Sequence, residues 1–139
     1  MLVRLLYASR VVPSFSDDEL ATLVRTARAA NAEHGITGLL CYSQGIFLQV
    51  LEGGRGPVNR LYARIVGDPR HTDVELLSYG EIDERRFAGW AMGQVDLEQL
   101  NPALLLKHSE RAALDPFAVS GRVSLALLEE LVATASVSR

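Results

Sequence analysis

The segment between Glu33 and Glu52 contains no Lys, Arg, Asp or Glu, and this constrains the fold more than any other feature of the sequence. The segment is nearly long enough to cross a bilayer as one helix. Glycines and the turn sequence Ser43-Gln44-Gly45 interrupt it, which favours two buried strands joined by a hairpin. The second strand carries one amide, Gln49, and an unpaired buried amide costs about 1–3 kcal/mol. Gln49 is therefore either satisfied locally or directed at a ligand.

Length, charge and cysteine content narrow the class of protein. The 139 residues, 48% of them hydrophobic, suffice for one domain with a core. A net charge of -3 argues against a nucleic-acid partner and against a basic membrane-binding surface. Cys41 is the only cysteine, and the N-terminal sequence MLVRLLYASR lacks the pattern of a signal peptide. We therefore expect a cytoplasmic protein that neither spans nor binds a membrane.

Periodicity divides the first two thirds of the chain into strands and helices. A strand is predicted over residues 2–9, and a helix capped by Ser16 is predicted to end near residue 32, with Asn31 at the end of its apolar stripe. After the hairpin, a second helix is predicted from Pro57, following a loop over residues 53–56. Its apolar stripe consists of Val58, Leu61, Tyr62, Ile65 and Val66. Strands are then predicted over residues 74–82 and 90–95, the latter with Trp90 and Met92 on one face.

This order, β-α-β-β-α-β-β, predicts an α+β fold, a ferredoxin-like sandwich with both helices on one face of the sheet and one added strand. The other face of the sheet would be apolar through Leu6, Ala8, Ile46, Leu48 and Val50, and an apolar face of that size requires a cover. Helical patterns at residues 97–108 and 123–135 could supply it. We expect these helices either to pack on the far face of the sheet or to join two chains into a homodimer. The predicted units are a domain over residues 1–97 and a helical extension over residues 98–139.

The sequence lacks the common catalytic signatures. Its three histidines show no metal-ligand spacing with Cys41 or the acids, and no phosphate-binding loop motif is present. The remaining candidates are polar side chains on the predicted helix-facing side, Tyr7, Asn31 and Gln49, although buried Tyr, Trp and Met are usually core residues. A second cluster follows the second helix and could hold phosphates or be a solvated surface: Arg64, Asp68, Arg70 and His71.

Four segments of the sequence resemble one known family. They are LLYASR at 5–10, NAEHGITGLLCYSQGIFLQVLEG at 31–53, LYARIVGDPRHTDVEL at 61–76 and RRFAGWAMG at 85–93. All four are similar to the BLUF domain, the blue-light sensor that uses flavin. The resemblance covers about residues 2–97, and the length and tail are similar to those of the short members of the family that consist of the sensor alone.

The resemblance implies a cofactor and its site. FAD would be held non-covalently, with its ring between the two helices and above the sheet. Asn31 would bind the pyrimidine edge of the flavin, and Arg70 and His71 would lie near its ribityl-phosphate part. The cofactor-binding residues that the resemblance implies are Tyr7, Asn31, Gln49, Ile65, Asp68, Arg70, His71 and Met92.

The resemblance also implies a photochemical function rather than an enzymatic one. Tyr7 would donate an electron and a proton in blue light, and Gln49 would rotate or tautomerise, giving a red-shifted state. Because the tail begins four residues after Gly93, we further expect Trp90 and Met92 to change packing beside Gln49 and to pass the signal through the last strand and the C-terminal helices to an unidentified downstream protein. Two alternatives remain: an acylphosphatase-like hydrolase that uses an Arg and an Asn, and a colourless ligand-binding or dimerisation module.

Overall fold

The computed structural model describes residues 1–97, 100–134 and 137. Five strands and four helices follow one another in the predicted order. They are β1 (Leu2–Val11), α1 (Asp17–Glu33), β2 (Thr37–Ser43), β3 (Ile46–Gly54), α2 (Arg55–Val66), β4 (His71–Ile82), β5 (Gly93–Asp96), α3 (Pro102–Leu106) and α4 (Gly121–Ala133).

The strands form one mixed sheet in the order β4-β1-β3-β2-β5. The first four are antiparallel to their neighbours, and β5 is added parallel to β2. Tyr7 of β1 lies directly opposite Gln49 of β3, so the register places both side chains on the same face. The predicted α+β, ferredoxin-like arrangement with one added strand is confirmed.

The uncharged segment forms the predicted hairpin of β2 and β3. Its two turn residues, Gln44 and Gly45, have φ values of 50° and 77°. A two-residue turn with both φ angles positive matches the right-handed twist of the strands, which explains why a glycine stands here. The hairpin is central in the sheet and buried on both faces, which accounts for the absence of charged residues before Glu52.

The first helix follows its predicted signals. The Ser16 hydroxyl accepts a hydrogen bond from the Glu19 N–H at 3.1 Å, and three acids occupy the first turn. The second helix departs from its prediction in two ways. It begins at Arg55, directly after β3, so no four-residue loop precedes Pro57. Val66, which is predicted to lie in the buried stripe, is 52% exposed, whereas its neighbour Ile65 packs against the core.

A hydrophobic core lies on each face of the sheet. The near core lies between the sheet and α1 and α2, and its buried residues are Val3, Leu5, Tyr7, Phe15, Leu20, Val24, Ile36, Leu40, Phe47, Leu51, Val58 and Met92. The far core lies on the opposite face, and it includes Leu6, Ala8, Leu39, Cys41, Leu48, Val50, Phe87, Val95, Leu97, Leu105, Leu127, Leu128 and Leu131. The C-terminal helices thus cover the far face within one chain, as the first of the two alternatives predicted.

The helical extension is shorter in regular structure than predicted. Asn101 caps α3, and Pro102 opens it, so this helix begins later than residue 97 and ends at Leu106. The predicted positions 98, 99 and 135 lie outside the described residues, and the predicted boundary between the two units stays a prediction. None of the helices within the described ranges has the length and apolar character that crossing a bilayer requires.

The connection before the last strand differs from its prediction. The strand begins at Gly93 rather than at residue 90, and β4 begins at His71 rather than at residue 74. Trp90 and Met92 therefore precede β5 and do not share a face: Met92 is buried in the near core, whereas Trp90 packs against the far core. Side chains of α1 bind the carbonyls of Ala91 and Met92, which explains why this segment does not continue the sheet.

Candidate functional site

A cavity of about 320 Å³ lies between α1 and α2, with the sheet as its floor. Its walls are largely apolar, and a few polar groups from three strands, two helices and the loop between α2 and β4 converge on it. The described residues that line it are Tyr7, Thr22, Leu23, Thr26, Ala27, Ala30, Asn31, Leu40, Phe47, Gln49, Leu61, Arg64, Ile65, Asp68, Arg70, His71 and Met92. An apolar cavity of this size with few convergent polar groups is typical of a small-molecule or cofactor site.

Two buried polar side chains form the floor of the cavity. The Tyr7 hydroxyl donates a hydrogen bond to the Gln49 side-chain carbonyl, and the Gln49 amide nitrogen lies 3.3 Å from the Met92 sulfur. Tyr7 is 1% exposed and Gln49 is 5% exposed. Burial, with smaller contributions from Tyr62 and Asp68, raises the pKa of the Tyr7 phenol far above its ordinary value. Tyr7 is therefore a neutral phenol whose proton is directed at an amide oxygen.

The end of α1 is bound to the segment that precedes β5. Asn31, which is 2% exposed, donates from its amide to the Ala91 carbonyl at 2.9 Å. One turn earlier, the Arg28 Nε donates to the Met92 carbonyl at 2.8 Å. The Gly38 N–H of β2 donates to the Trp90 carbonyl at 2.8 Å. Three consecutive carbonyls are thus fixed, two of them by side chains of a helix that lines the cavity.

A charged pair marks the opposite end of the cavity, where α2 meets β4. The Arg70 guanidinium binds the Asp68 carboxylate at 2.6 Å, which lowers the pKa of Asp68. His71 is half-buried, and its Nδ1 lies 2.8 Å from the hydroxyl of the fully buried Ser9. Burial lowers the pKa of His71, so its imidazole is neutral at pH 7. This end offers a cation and polar groups at the rim of the cavity.

The structure brings together the eight residues predicted to bind the cofactor. Tyr7, Gln49 and Met92 lie on the floor, Asn31 and Ile65 lie on the two helices, and Asp68, Arg70 and His71 lie at the rim. Trp90 is placed elsewhere: among the described residues it packs against the far core. That these eight side chains hold a cofactor stays a prediction.

The sequence identifies part of the α1 wall. Leu23, Ala27 and Ala30 belong to the apolar stripe that is predicted to end in Asn31, and they line the cavity, whereas Thr22 and Thr26 line it without being predicted. Arg28 was missed because a cationic side chain on a helix is normally solvated. Among the described residues, no group of three or more His, Cys, Asp or Glu could hold a metal ion.

The fold and the site define a ligand-binding module of ferredoxin-like architecture whose floor carries a neutral phenol and an amide. The sequence matches the family model described as "BLUF: Sensors of blue-light using FAD" over residues 2–93. The chain therefore belongs to the BLUF family of flavin-binding blue-light sensors.

Relatives and solved structures agree with this membership. The photoactivated adenylate cyclase subunit beta of Euglena longa is 39% identical over 100 residues, which are 71% of this chain and 12% of that protein. The chain thus spans about one eighth of the length of the curated relatives that it matches. The photo-activated state of BlsA superposes with a TM-score of 0.84 at 32% identity, covering 95% of each chain. The dark-state structure of BlrB, a BLUF protein, superposes with a TM-score of 0.81 at 31% identity, covering 96% of each chain.

Proposed function

We propose that the chain is a blue-light photoreceptor that holds FAD non-covalently in the cavity and signals through electron and proton transfer from Tyr7. One observation carries this proposal: the buried hydroxyl of Tyr7 donates to the side-chain carbonyl of Gln49 on the floor of the cavity. Membership of the family is the reason to expect a flavin cofactor and a response to blue light. Tyr7 and Gln49 are the residues that would respond when the flavin is excited.

The cavity suits the ring of a flavin better than a whole dinucleotide. About 320 Å³ lies at the lower end of the range for ligand pockets, so a ring system fits inside and a longer chain must leave through the rim. Asn31 and Gln49 place amide groups against the interior, and such groups pair with ring carbonyls and ring N–H groups. Arg70 and His71 stand at the rim, where a cationic fork and an imidazole suit a phosphate-bearing tail.

The mechanism follows from the chemistry of the two floor residues. Bound flavin supplies the absorption of blue light and the capacity to accept an electron. Tyr7 would give up an electron from its oxidisable phenol to the flavin, and its proton would move along the existing hydrogen bond to the Gln49 carbonyl. Gln49 would then rotate or tautomerise, because an amide that receives a proton on oxygen can release one from nitrogen. Once the electron and a proton have returned to Tyr7, the rearranged Gln49 amide would offer the flavin a different hydrogen-bonding group, which would account for a red-shifted state.

We propose that Met92 and the following strand carry the signal onward. A rearranged Gln49 amide loses its contact with the Met92 sulfur, and Met92 immediately precedes β5. Val95 of β5 and Leu97 belong to the far core, together with residues of α3 and α4. A shift of β5 therefore changes what the C-terminal helices present to a downstream protein. A homodimer, an absence of catalytic activity and a cytoplasmic location remain part of the proposal.

The deciding experiment is an absorption spectrum of the purified protein in the dark and after blue light. We expect a flavin spectrum that shifts reversibly to the red. Tyr7→Phe removes the donated proton and Gln49→Leu removes its acceptor, so both variants should retain flavin and lose the shift. Tyr42→Phe is a matched control, because Tyr42 also packs on the near core but does not line the cavity.

Other outcomes separate the alternatives. A bound flavin with no shift in the unmodified protein would remove Tyr7 and Gln49 from the mechanism. A folded, colourless protein that takes up no added FAD, FMN or riboflavin would contradict the photoreceptor and favour a binding or dimerisation module. Release of phosphate from an acyl phosphate would instead identify a hydrolase.

A further inference from the structure

The segment Trp90–Met92 crosses from one core to the other. Met92 is 1% exposed in the near core, with its sulfur beside Gln49. Trp90, two residues earlier, packs against the far core. We call the segment Trp90–Met92 the crossing. A displacement of the crossing changes both the floor of the cavity and the packing beneath the C-terminal helices.

The crossing is held by hydrogen bonds to its carbonyls. The bond from Gly38 is a backbone bond between neighbouring segments, and Asn31 lines the cavity itself. Arg28 differs from both: its side chain is half-buried, does not line the cavity, and donates its Nε to the Met92 carbonyl at 2.8 Å. A charged donor makes a stronger hydrogen bond than a neutral one. The residue whose sulfur contacts Gln49 is thus fixed through its backbone by a cation that does not line the cavity.

We propose that Arg28 is a positioning residue that holds Met92 against Gln49 and sets how readily the Trp90–Met92 segment changes its packing. The inference rests on the proposed function, because the packing change matters only if Gln49 rearranges in light. Arg28 does not line the cavity, and its hydrogen bond to the Met92 carbonyl is the contact through which it acts on the floor. It governs the lifetime of the light state rather than its formation.

The test replaces the donor and leaves the cavity intact. Arg28→Met removes the charge and the N–H while keeping the length of the side chain, and Arg28→Lys keeps a charged donor without the planar fork. Arg25→Met is the matched control, because Arg25 is an exposed residue of the same helix whose guanidinium contacts the Thr22 hydroxyl of that helix. All variants are made in the full chain loaded with FAD.

Two readouts report on the crossing directly. Trp90 is the only tryptophan of the chain, so its emission and its quenching by acrylamide measure the packing of this segment. Hydrogen exchange of the amides of β5 measures how often the segment opens. In Arg28→Met, we expect β5 exchange to accelerate by about tenfold or more, since a hydrogen bond to a charged group is lost, and we expect Trp90 quenching to rise. Arg28→Lys should lie between this variant and the unmodified protein.

The photocycle supplies the remaining readouts. We expect the amplitude of the red shift to be unchanged in Arg28→Met, because Tyr7 and Gln49 keep their hydrogen bond, while recovery in the dark changes by about tenfold in the same rank order. Equal exchange in Arg28→Met and Arg25→Met would overturn the proposal, as would accelerated exchange with unchanged recovery. Loss of the shift amplitude would also overturn it, since Arg28 would then act on the cavity itself. If the unmodified protein shows no shift, the proposed function fails, whereas the exchange and tryptophan readouts still decide whether Arg28 holds Met92.

Discussion

At the scale of single residues, the site depends on a phenol that stays neutral. Tyr7 is buried beneath the cavity, and its surroundings favour the protonated form, because a phenolate there would lose its hydration and lie near the Asp68 carboxylate. A neutral phenol can donate a proton and an electron together, whereas a phenolate has no proton to give. Burial thus raises the pKa of Tyr7 and keeps the proton that the proposed mechanism requires.

This raised pKa predicts how the protein responds to alkaline pH. In the unfolded chain tyrosine titrates near pH 10, so the folded state retains the Tyr7 proton at higher pH and stability is lost as pH rises above about 10. We expect the amplitude of the light-induced shift to stay constant from about pH 8 to about pH 10.5, and the free energy of unfolding to begin to fall above about pH 10. Absorption spectra measure the first and urea unfolding the second, and Tyr7→Phe should show a smaller fall. An amplitude that titrates with a midpoint near 10 would contradict the neutral, shielded phenol.

At the scale of secondary-structure elements, β3 serves both faces of the sheet. Gln49 points into the near core, whereas Glu52, three residues later, points to the other side and is fully buried. The Glu52 carboxylate binds the Arg4 guanidinium at 2.8 Å and accepts from the N–H groups of Arg86 and Phe87. The Glu52 side chain thus fixes the connection between β4 and β5. Phe87 belongs to this connection, and its side chain is buried in the far core.

Glu52→Gln tests whether the Glu52 carboxylate holds the connection between β4 and β5 in place. Removing one member of a buried charged pair leaves the other uncompensated, so we expect a loss of about 3–5 kcal/mol in the free energy of unfolding, measured by urea denaturation. Glu81→Gln is the control, because Glu81 pairs with Arg55 on the surface and exposed pairs contribute about 0–1 kcal/mol. Equal effects of the two substitutions would show that Glu52 does not carry the connection.

At the scale of the whole molecule, one sheet is shared by two cores. The near core contains the cavity, and the far core contains the buried faces of the C-terminal helices. Because the two cores rest on the same strands, neither can lose its packing without disturbing the other. We therefore expect one cooperative unfolding transition for the whole chain, observed alike by flavin absorption and by circular dichroism.

A substitution in α4 tests whether the two cores unfold in one cooperative transition. Leu128 lies on the face of α4 that is buried in the far core. Leu128→Ala should therefore lower the free energy of unfolding by about 2–5 kcal/mol and shift the unfolding transitions followed by flavin absorption and by circular dichroism to the same extent. Leu106→Ala provides the control, since Leu106 is 52% exposed at the end of α3 and its truncation leaves no cavity. Separate transitions for flavin release and helix loss in Leu128→Ala would contradict a shared core.

Much of the architecture could be predicted because local signals and burial agree. The charge-free hairpin, the Ser16 cap and the apolar stripe ending in Asn31 each have one physical explanation, and the structure contains all three. The resemblance in turn selected eight side chains from three strands, two helices and two connecting segments, and these lie around one cavity. Val66 and the start of β5 were mispredicted, because exposure at a helix end and the termination of a strand depend on contacts with distant residues.

The sequence alone determined the order of elements, the apolar faces of the sheet and the types of polar group available to the site, because periodicity and turn chemistry act over a few residues. Only the tertiary structure decided which of these groups meet. Tyr7 and Gln49 pair through strand register, and Asn31 and Arg28 reach Ala91 and Met92 across about sixty positions of the chain. The tertiary structure also places Trp90 and Met92 on opposite sides of the sheet. Trp90 packs against the far core and Met92 lies in the near core, because packing determines which core each side chain enters.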